Sequence, residues 1–578
     1  MQARSVASRE VTIDAADAES LDRLHDRIII APFRLTRSAA AWVALLAIAI
    51  ASGAYLRATQ LATQVLVDDE WHAIHELLHS DAKGIATSFG VADYSVPLTL
   101  YYRFLALHGG LTEWEMHVPL LLAGIALLLV APYLLRRTLP LPVVSTWVAL
   151  LAISPLHVYL SRTARPYALT CLLSLIAVLA FRQWWLAKEH RVSFGCAYVV
   201  ATFLAGWLHL ITLSFTLLPF AWFGALAVLD AKREAEDARR FAPLRHLALL
   251  AIATIAPLAV ALLPPLLGSF GQLAEKAGTD SVSVDSVYRT LLMLAGVRAP
   301  ALLAVLAGVG IVGMLKVMRR DAGFVGYVVF LGLGSAAAIV LARPAWIQHP
   351  GVLARYMLPA LPFALLFIAE GAVTLAKRLR PAFTMPLAIV LGVAMLFESG
   401  PIPTWLYHPN QFIGHARFQF DYDDAHNPYV LEIPKEPVPL FYRELARRPP
   451  ESLTLIEAPW RLESNFIPFP WYQALHRQWI KIGLVTPVCG VRDFGEYPAT
   501  ATGLQFRYFV HLSEILAGHD YGADYLVMHL VPWKTPPDAK VEWPDVAACL
   551  PKIAAKLGPP TYRDESIVVF DLKRHDEP

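Results

Sequence analysis

The chain has 578 residues, 56% of them hydrophobic and only 17% charged. That balance excludes a soluble globular protein as the whole molecule. A net charge of +2 excludes any global electrostatic pull toward nucleic acid.

Residues 1–37 are polar and of mixed charge, and read as a cytoplasmic N-terminal segment. They hold no short apolar core ahead of a small-residue cleavage site, so the next apolar run, 38–56, is expected to be a retained first helix rather than a signal peptide. Further runs of bilayer length follow at 117–135, 141–160, 166–186, 193–209, 210–229, 244–267, 299–317, 324–342, 354–376 and 382–398, for about eleven transmembrane helices in all. With the N-terminus inside, Lys and Arg concentrate in the inner loops: Arg136 and Arg137, Arg182 to Arg191, Lys232 to Arg245, Lys316 to Arg320, and Lys377 to Arg380. The outer loops are then 57–116, 161–165, 268–298 and 343–353. An odd helix count puts the tail outside.

The first outer loop, 57–116, carries Val67-Asp68-Asp69-Glu70-Trp71-His72. Three consecutive carboxylates near a bilayer surface are costly to desolvate and add nothing to packing. They are read as functional, since a carboxylate is a natural general base for a hydroxyl. A solvated acidic loop is the plainer alternative. Next, His75-Glu76-Leu77-Leu78-His79 matches the H-E-x-x-H pattern of zinc proteases. No third-ligand motif follows it. The competing expectation is an amphipathic interfacial helix with Ile74, Leu77 and Leu78 toward lipid.

Later motifs divide into structural and chemical ones. Gly308, Gly310 and Gly313 match G-x-G-x-x-G, but inside an apolar span, where small residues serve close helix packing. Arginines recur on the expected outer face: Arg162 and Arg165 before Tyr167, then Arg343, with His349, and Arg355 beside Tyr356. His209 lies between two apolar halves on the same face. The topological bias disfavours outer arginines. Snorkelling to lipid head groups is one reading of each. Several of them beside an acidic triplet indicate an anion site next to a base, and a lipid phosphate suits the bidentate guanidinium.

From about residue 400 to 578 the chain is rich in Pro, Trp and charge. Strand-like runs at 453–457, 525–529 and 567–571 alternate with helix-like runs at 439–447 and 544–557, which predicts an extracytoplasmic α/β domain. Cys171 and Cys196 lie in spans. Cys489 and Cys549 lie in the tail, where oxidation can pair them. Such a bridge, closing a loop of about 60 residues, is worth about 4 kcal/mol in the chain-entropy model.

At this point the chain resembles the C-type integral-membrane glycosyltransferases, which include protein O-mannosyltransferases and lipid A aminoarabinose transferases. The resemblance rests on Asp69-Glu70 in the first outer loop, on Pro97 with Tyr101 and Tyr102, and on Ser154-Pro155 through Arg165-Pro166-Tyr167. His209 and Arg355-Tyr356 with Pro359 complete it. It covers most of 38–398. In the tail, Tyr472 to His476 followed by Gly483 is similar to some bacterial relatives. Two departures are Asp68 ahead of the usual acidic pair and a single proline where relatives often carry two. Either Asp68 or Asp69 could then be the base.

The resemblance implies an all-α polytopic membrane domain at 38–399 with an α/β domain at 400–578, in a bacterial-type inner membrane. It implies a polyprenyl-phosphate sugar donor, a lipid, glycan or protein acceptor, and transfer with inversion. Asp69, with Asp68 and Glu70, would be catalytic. Arg355, Arg165, Arg343 and Tyr356 would bind the donor phosphate. Trp71, His72, Tyr101, Tyr167 and His209 would contact sugar or acceptor. Some relatives use a divalent metal, for which Glu70, His72 and His209 are the candidates. An intramembrane zinc protease and a transporter with broken helices are the alternatives from other classes.

Overall fold

The computed structural model describes residues 37–66, 68–90, 94–136, 138–187, 190–233, 241–278, 280–297, 299–379, 438–461, 469–531 and 543–573. Among these, nine helices are long and apolar enough to cross a membrane: Ala39–Ala58, Glu113–Leu135, Tyr167–Leu186, Arg191–Leu208, Leu210–Lys232, Ala242–Gly268, Pro300–Arg320, Ala322–Ala342 and Leu358–Arg378. A tenth expected span is shorter. Leu141–Ile153 is helical, the chain breaks at Ser154, and Pro155–Leu160 forms a separate turn of helix. Pro155 has no N–H to continue the ladder. The expected span at 382–398 and the domain boundary near 399 lie outside the described residues. The division expected at His209 is present: its backbone is extended and separates two helices.

The glycines at 308–313 act as packing residues. A Cβ at Gly313 would overlap the Phe367 carbonyl oxygen, and one at Gly371 would overlap that of Val309. The helices Pro300–Arg320 and Leu361–Leu379 therefore meet backbone to backbone. Gly308 faces open space.

The C-terminal residues build a six-stranded sheet. The strands are β1 (Thr454–Ala458), β2 (Trp479–Leu484), β3 (Phe509–His511), β4 (Tyr525–His529), β5 (Tyr562–Arg563) and β6 (Ile567–Asp571), in the order β3-β2-β1-β4-β6-β5. The β3-β2-β1-β4 part is parallel, and β6 runs antiparallel to β4 and β5. Strand alternation gives two buried faces. Ile456, Leu526 and Val568 pack toward the Val546–Leu557 helix. Leu455, Val527 and Val569 pack on Phe441 and Tyr442. Cys489 and Cys549 form a disulfide. The three strands that sequence reading missed are β2, whose alternation Gly483 interrupts, and two strands of three and two residues.

This domain shares a core with the first loop. Ile480, Ile482 and Leu484 of β2 are buried in one cluster with Val65, Leu66, Trp71 and Ile74. Gln473 clamps the same stretch, accepting from the Val65 N–H at 3.0 Å and donating to the Thr63 carbonyl at 2.5 Å. A second clamp pairs Leu111 N–H with the Gln505 carbonyl at 2.8 Å and Arg507 N–H with the Leu111 carbonyl at 2.9 Å. The helix Trp71–His79 is therefore not an interfacial helix facing lipid. Ile74, Leu77 and Leu78 are fully buried against protein, and the Leu78 carbonyl accepts from Thr500.

Candidate active site

Asp68–Glu70 forms a single 3-10 turn that leads into the Trp71–His79 helix. That turn lies against two span ends from distant parts of the chain. Arg355, in the short helix Pro350–Tyr356, donates from Nη1 to Asp69 Oδ2 at 2.5 Å. Arg165, in the turn before the Tyr167–Leu186 helix, donates to the Asp69 carbonyl at 3.4 Å. His72, one helical turn on, lies 3.9 Å from Asp69 Oδ1. The Asp69 and Arg355 side chains keep 15% and 20% exposure.

Burial alone would push the Asp69 carboxyl up. The Arg355 and Arg165 guanidiniums more than reverse this and hold it well below the usual carboxylate range. His72 is lowered too, but chiefly by burial. Burial, reinforced by Arg165 and Arg355, lowers its imidazole to about 4, so it is neutral at physiological pH. The cluster thus holds one ionised carboxylate and two guanidiniums, a net positive site that suits an anion.

An aromatic group lies beside the pair. The Arg355 guanidinium sits 5.3 Å from the Tyr167 ring centre and 5.5 Å from that of Tyr356. His209, at the helix break, lies 5.3 Å from Tyr167 and 5.6 Å from Tyr356. Tyr167, His209, Arg355 and Tyr356, spread over nearly 190 positions in sequence, therefore lie side by side.

Other expected site residues have different surroundings. Glu70 is fully buried. It bonds His117 Nε2 at 2.8 Å and accepts from the Ala164 N–H. It joins the acidic turn to the segment carrying Arg165. Trp71, expected against sugar or acceptor, is fully buried between Trp460 and Phe509, with ring centres at 5.3 and 6.5 Å. Tyr101 packs on Tyr102 in the Val96–His108 helix, ring centres 5.6 Å apart. Arg343 is exposed and donates to the Asp280 carbonyl at 2.8 Å. Asp68 shares the turn of Asp69.

Arg162 has a structural task. It is buried, and its Nη1 donates to the carbonyls of Arg57 at 3.0 Å and Thr59 at 2.8 Å, at the end of the first span. Its Nη2 donates to Gln64 Oε1 at 3.1 Å, and Gln64 donates back to the Arg162 carbonyl at 3.0 Å. Of the two arginines in this turn, one ties the end of the first span and the other the backbone of the acidic turn.

Sequence reading missed His117 and Gln473. His117 sits one turn into the Glu113–Leu135 helix, whose start is fixed by a Thr112–Glu115 capping box. A histidine near the start of an apolar span was the available signal, since a buried histidine needs a partner.

The metal candidates do not converge. Among the described residues no group of three or more His, Cys, Asp or Glu side chains is arranged to hold an ion. Glu70 is taken by His117, and His72 faces Asp69. The His75 and His79 rings lie 4.8 Å apart, but no third ligand joins them among the described residues. Among the described residues, neither set shows the three converging ligands that a divalent metal site needs.

Fold and site together define a multi-pass membrane protein. Its candidate active site pairs a carboxylate with arginines where span ends meet a soluble α/β domain. Solved structures similar to this chain include ArnT from Cupriavidus metallidurans, a lipid A aminoarabinose transferase. In the apo state it is 15% identical, with 93% of this chain and 98% of that chain covered and a TM-score of 0.41. The same protein bound to undecaprenyl phosphate is 13% identical, with 92% and 98% covered and a TM-score of 0.40. The Archaeoglobus fulgidus oligosaccharyltransferase, in complex with Zn and sulfate, is 14% identical, with 84% and 68% covered and a TM-score of 0.38. No protein-family model and no curated protein sequence matches the chain.

Proposed function

We propose that this protein transfers a sugar from a polyprenyl-phosphate donor to an acceptor hydroxyl, with inversion, at the outer surface of a bacterial-type inner membrane. The observation that carries the reading is the seat of Asp69. It is an ionised, partly exposed carboxylate at 2.5 Å from Arg355, beside Arg165 and at the ends of two spans. Base and anion binder are what a displacement at an anomeric carbon by a hydroxyl needs, with phosphate as leaving group.

The pair in contact is the resting form. A donor phosphate offers Arg355 a second anion and competes with Asp69 for its fork. As Arg355 turns to the phosphate, Asp69 loses its strongest stabilising partner and its proton affinity rises. The carboxylate then takes the proton of the acceptor hydroxyl. The new C–O bond forms on the face opposite the phosphate, and the polyprenyl phosphate leaves with its bridging oxygen, held by Arg355 and Arg165. Tyr167, Tyr356 and His209 offer aromatic faces to the sugar. Neutral His72 can accept or donate one hydrogen bond near the reacting hydroxyl.

The inner and outer assignment rests on the Lys/Arg bias of alternate loops. The Cys489–Cys549 disulfide supports an oxidising compartment for the C-terminal domain. The test supplies purified protein with a polyprenyl-phosphate sugar and, separately, with a nucleotide sugar. Turnover of the first is expected, with a loss of a hundredfold or more in Asp69→Asn, on the order of what a general base contributes. Arg355→Lys keeps the charge, loses the planar fork, and should weaken donor use markedly. Turnover of the nucleotide sugar alone, or full activity in Asp69→Asn, would reject this function.

A further inference from the structure

A cavity of about 540 Å³ opens at the end of the helix bundle remote from Asp69. The helix starting at Glu113, whose carboxylate reaches the Leu66 N–H, ends at Leu135 in the cavity wall. At about 1.5 Å per residue, positions 113 and 135 lie about 33 Å apart. The Tyr167–Leu186 helix makes the same crossing, with Tyr167 beside Arg355 and Leu179 and Arg182 in the cavity wall.

Most of the wall is apolar, but three arginines interrupt it: Arg136, Arg182 and Arg320. Arg182 is neutralised by Asp321 at 2.6 Å, and Asp321 also caps the following helix through the Phe324 N–H. Arg320 stands 3.9 Å from the buried Glu370 carboxylate, beyond hydrogen-bond reach, and its side chain is 42% exposed. The Arg136 guanidinium lies 3.6 Å from the Tyr133 ring centre and gives one bond to the Tyr133 carbonyl. A guanidinium carries five N–H donors, so these contacts leave both Arg136 and Arg320 capacity for a guest. Three guanidiniums face two carboxylates, and the local charge is positive.

An apolar void closed by guanidiniums at the end of membrane-spanning helices matches the two halves of one molecule. We propose that this cavity binds an anionic phospholipid, with a chain against Leu179 and Phe194 and its phosphate on Arg136 and Arg320. The site is independent of the chemistry assigned to Asp69 and lies at the opposite membrane surface.

The test titrates delipidated full-length protein in detergent with phosphatidylglycerol or phosphatidylcholine and counts bound lipid by native mass spectrometry. Wild type should hold phosphatidylglycerol preferentially. The Arg136→Gln/Arg320→Gln variant should lose on the order of tenfold in that affinity. Arg320→Lys keeps the charge and the fold, and should weaken the same binding severalfold by losing the planar fork. Equal binding of the two lipids by wild type, or an unchanged preference in both variants, overturns the proposal. Displacement of phosphatidylglycerol by inorganic phosphate alone would identify a free anion as the ligand and overturn it as well.

Discussion

Asp69 and His72 sit one turn apart beside the same two arginines. The positive charges keep Asp69 ionised, while burial keeps His72 unprotonated. For His72 this has a consequence for stability. The unfolded chain takes up a proton near the ordinary value of 6.5, while the folded chain resists until about 4. Its contribution is whole above about pH 6.5 and is lost as pH falls toward 4, because the unfolded state binds the proton first. The melting temperature of wild type should decline across that window, and His72→Gln should decline less. Identical slopes in the two proteins would contradict the surroundings described for His72.

At the scale of elements, two short motifs show how a pattern's meaning depends on what packs against it. The H-E-x-x-H helix carries its apolar residues into protein because the sheet domain covers it. The G-x-G-x-x-G run is a helix crossing, and its glycines are not equivalent. Gly313→Ala would force its Cβ into the Phe367 carbonyl and separate two packed helices, for a loss of about 1–3 kcal/mol or more. Gly308→Ala meets nothing and should be neutral or slightly stabilising, as alanine is the better helix former. Thermal unfolding of the two variants in detergent checks the contrast, and equal effects would count against the crossing. The Glu70–His117 pair works similarly between elements. Glu70→Ala would strand a buried imidazole and the Ala164 N–H, at a cost of about 2–5 kcal/mol. A melting temperature equal to wild type would contradict that role.

At the scale of the whole molecule, the first loop is held from both sides. Span ends contribute Arg165 and Arg355, while the C-terminal domain contributes Gln473, Trp460 and the edge of the sheet. The domain thus braces the acidic turn. The proposed orientation puts this assembly on one side of the membrane and the cavity near Arg320 on the other. Reporter fusions after Arg320 and at the C-terminus should therefore report opposite sides. Both on one side would reject the topology, together with an outer site at Asp69.

The sequence by itself determined most of the membrane-spanning helices, the acidic turn, the arginines at the span ends and three strands of the sheet. Length, hydropathy and alternation are local properties, and the spans of a membrane protein must satisfy their backbone bonds within themselves. It also marked Asp69, Arg165, Arg355 and His209 as a set. Only the tertiary structure decided which partners each of the marked residues meets. Arg162 and Arg165 are three residues apart and indistinguishable as sequence, yet one bonds the carbonyls at the end of the first span and the other the carbonyl of Asp69. Asp69 and Glu70 are adjacent, yet one is paired with Arg355 and partly exposed and the other is sealed against His117. Those outcomes depend on partners about 50 to 290 positions away, and no local pattern carries that information.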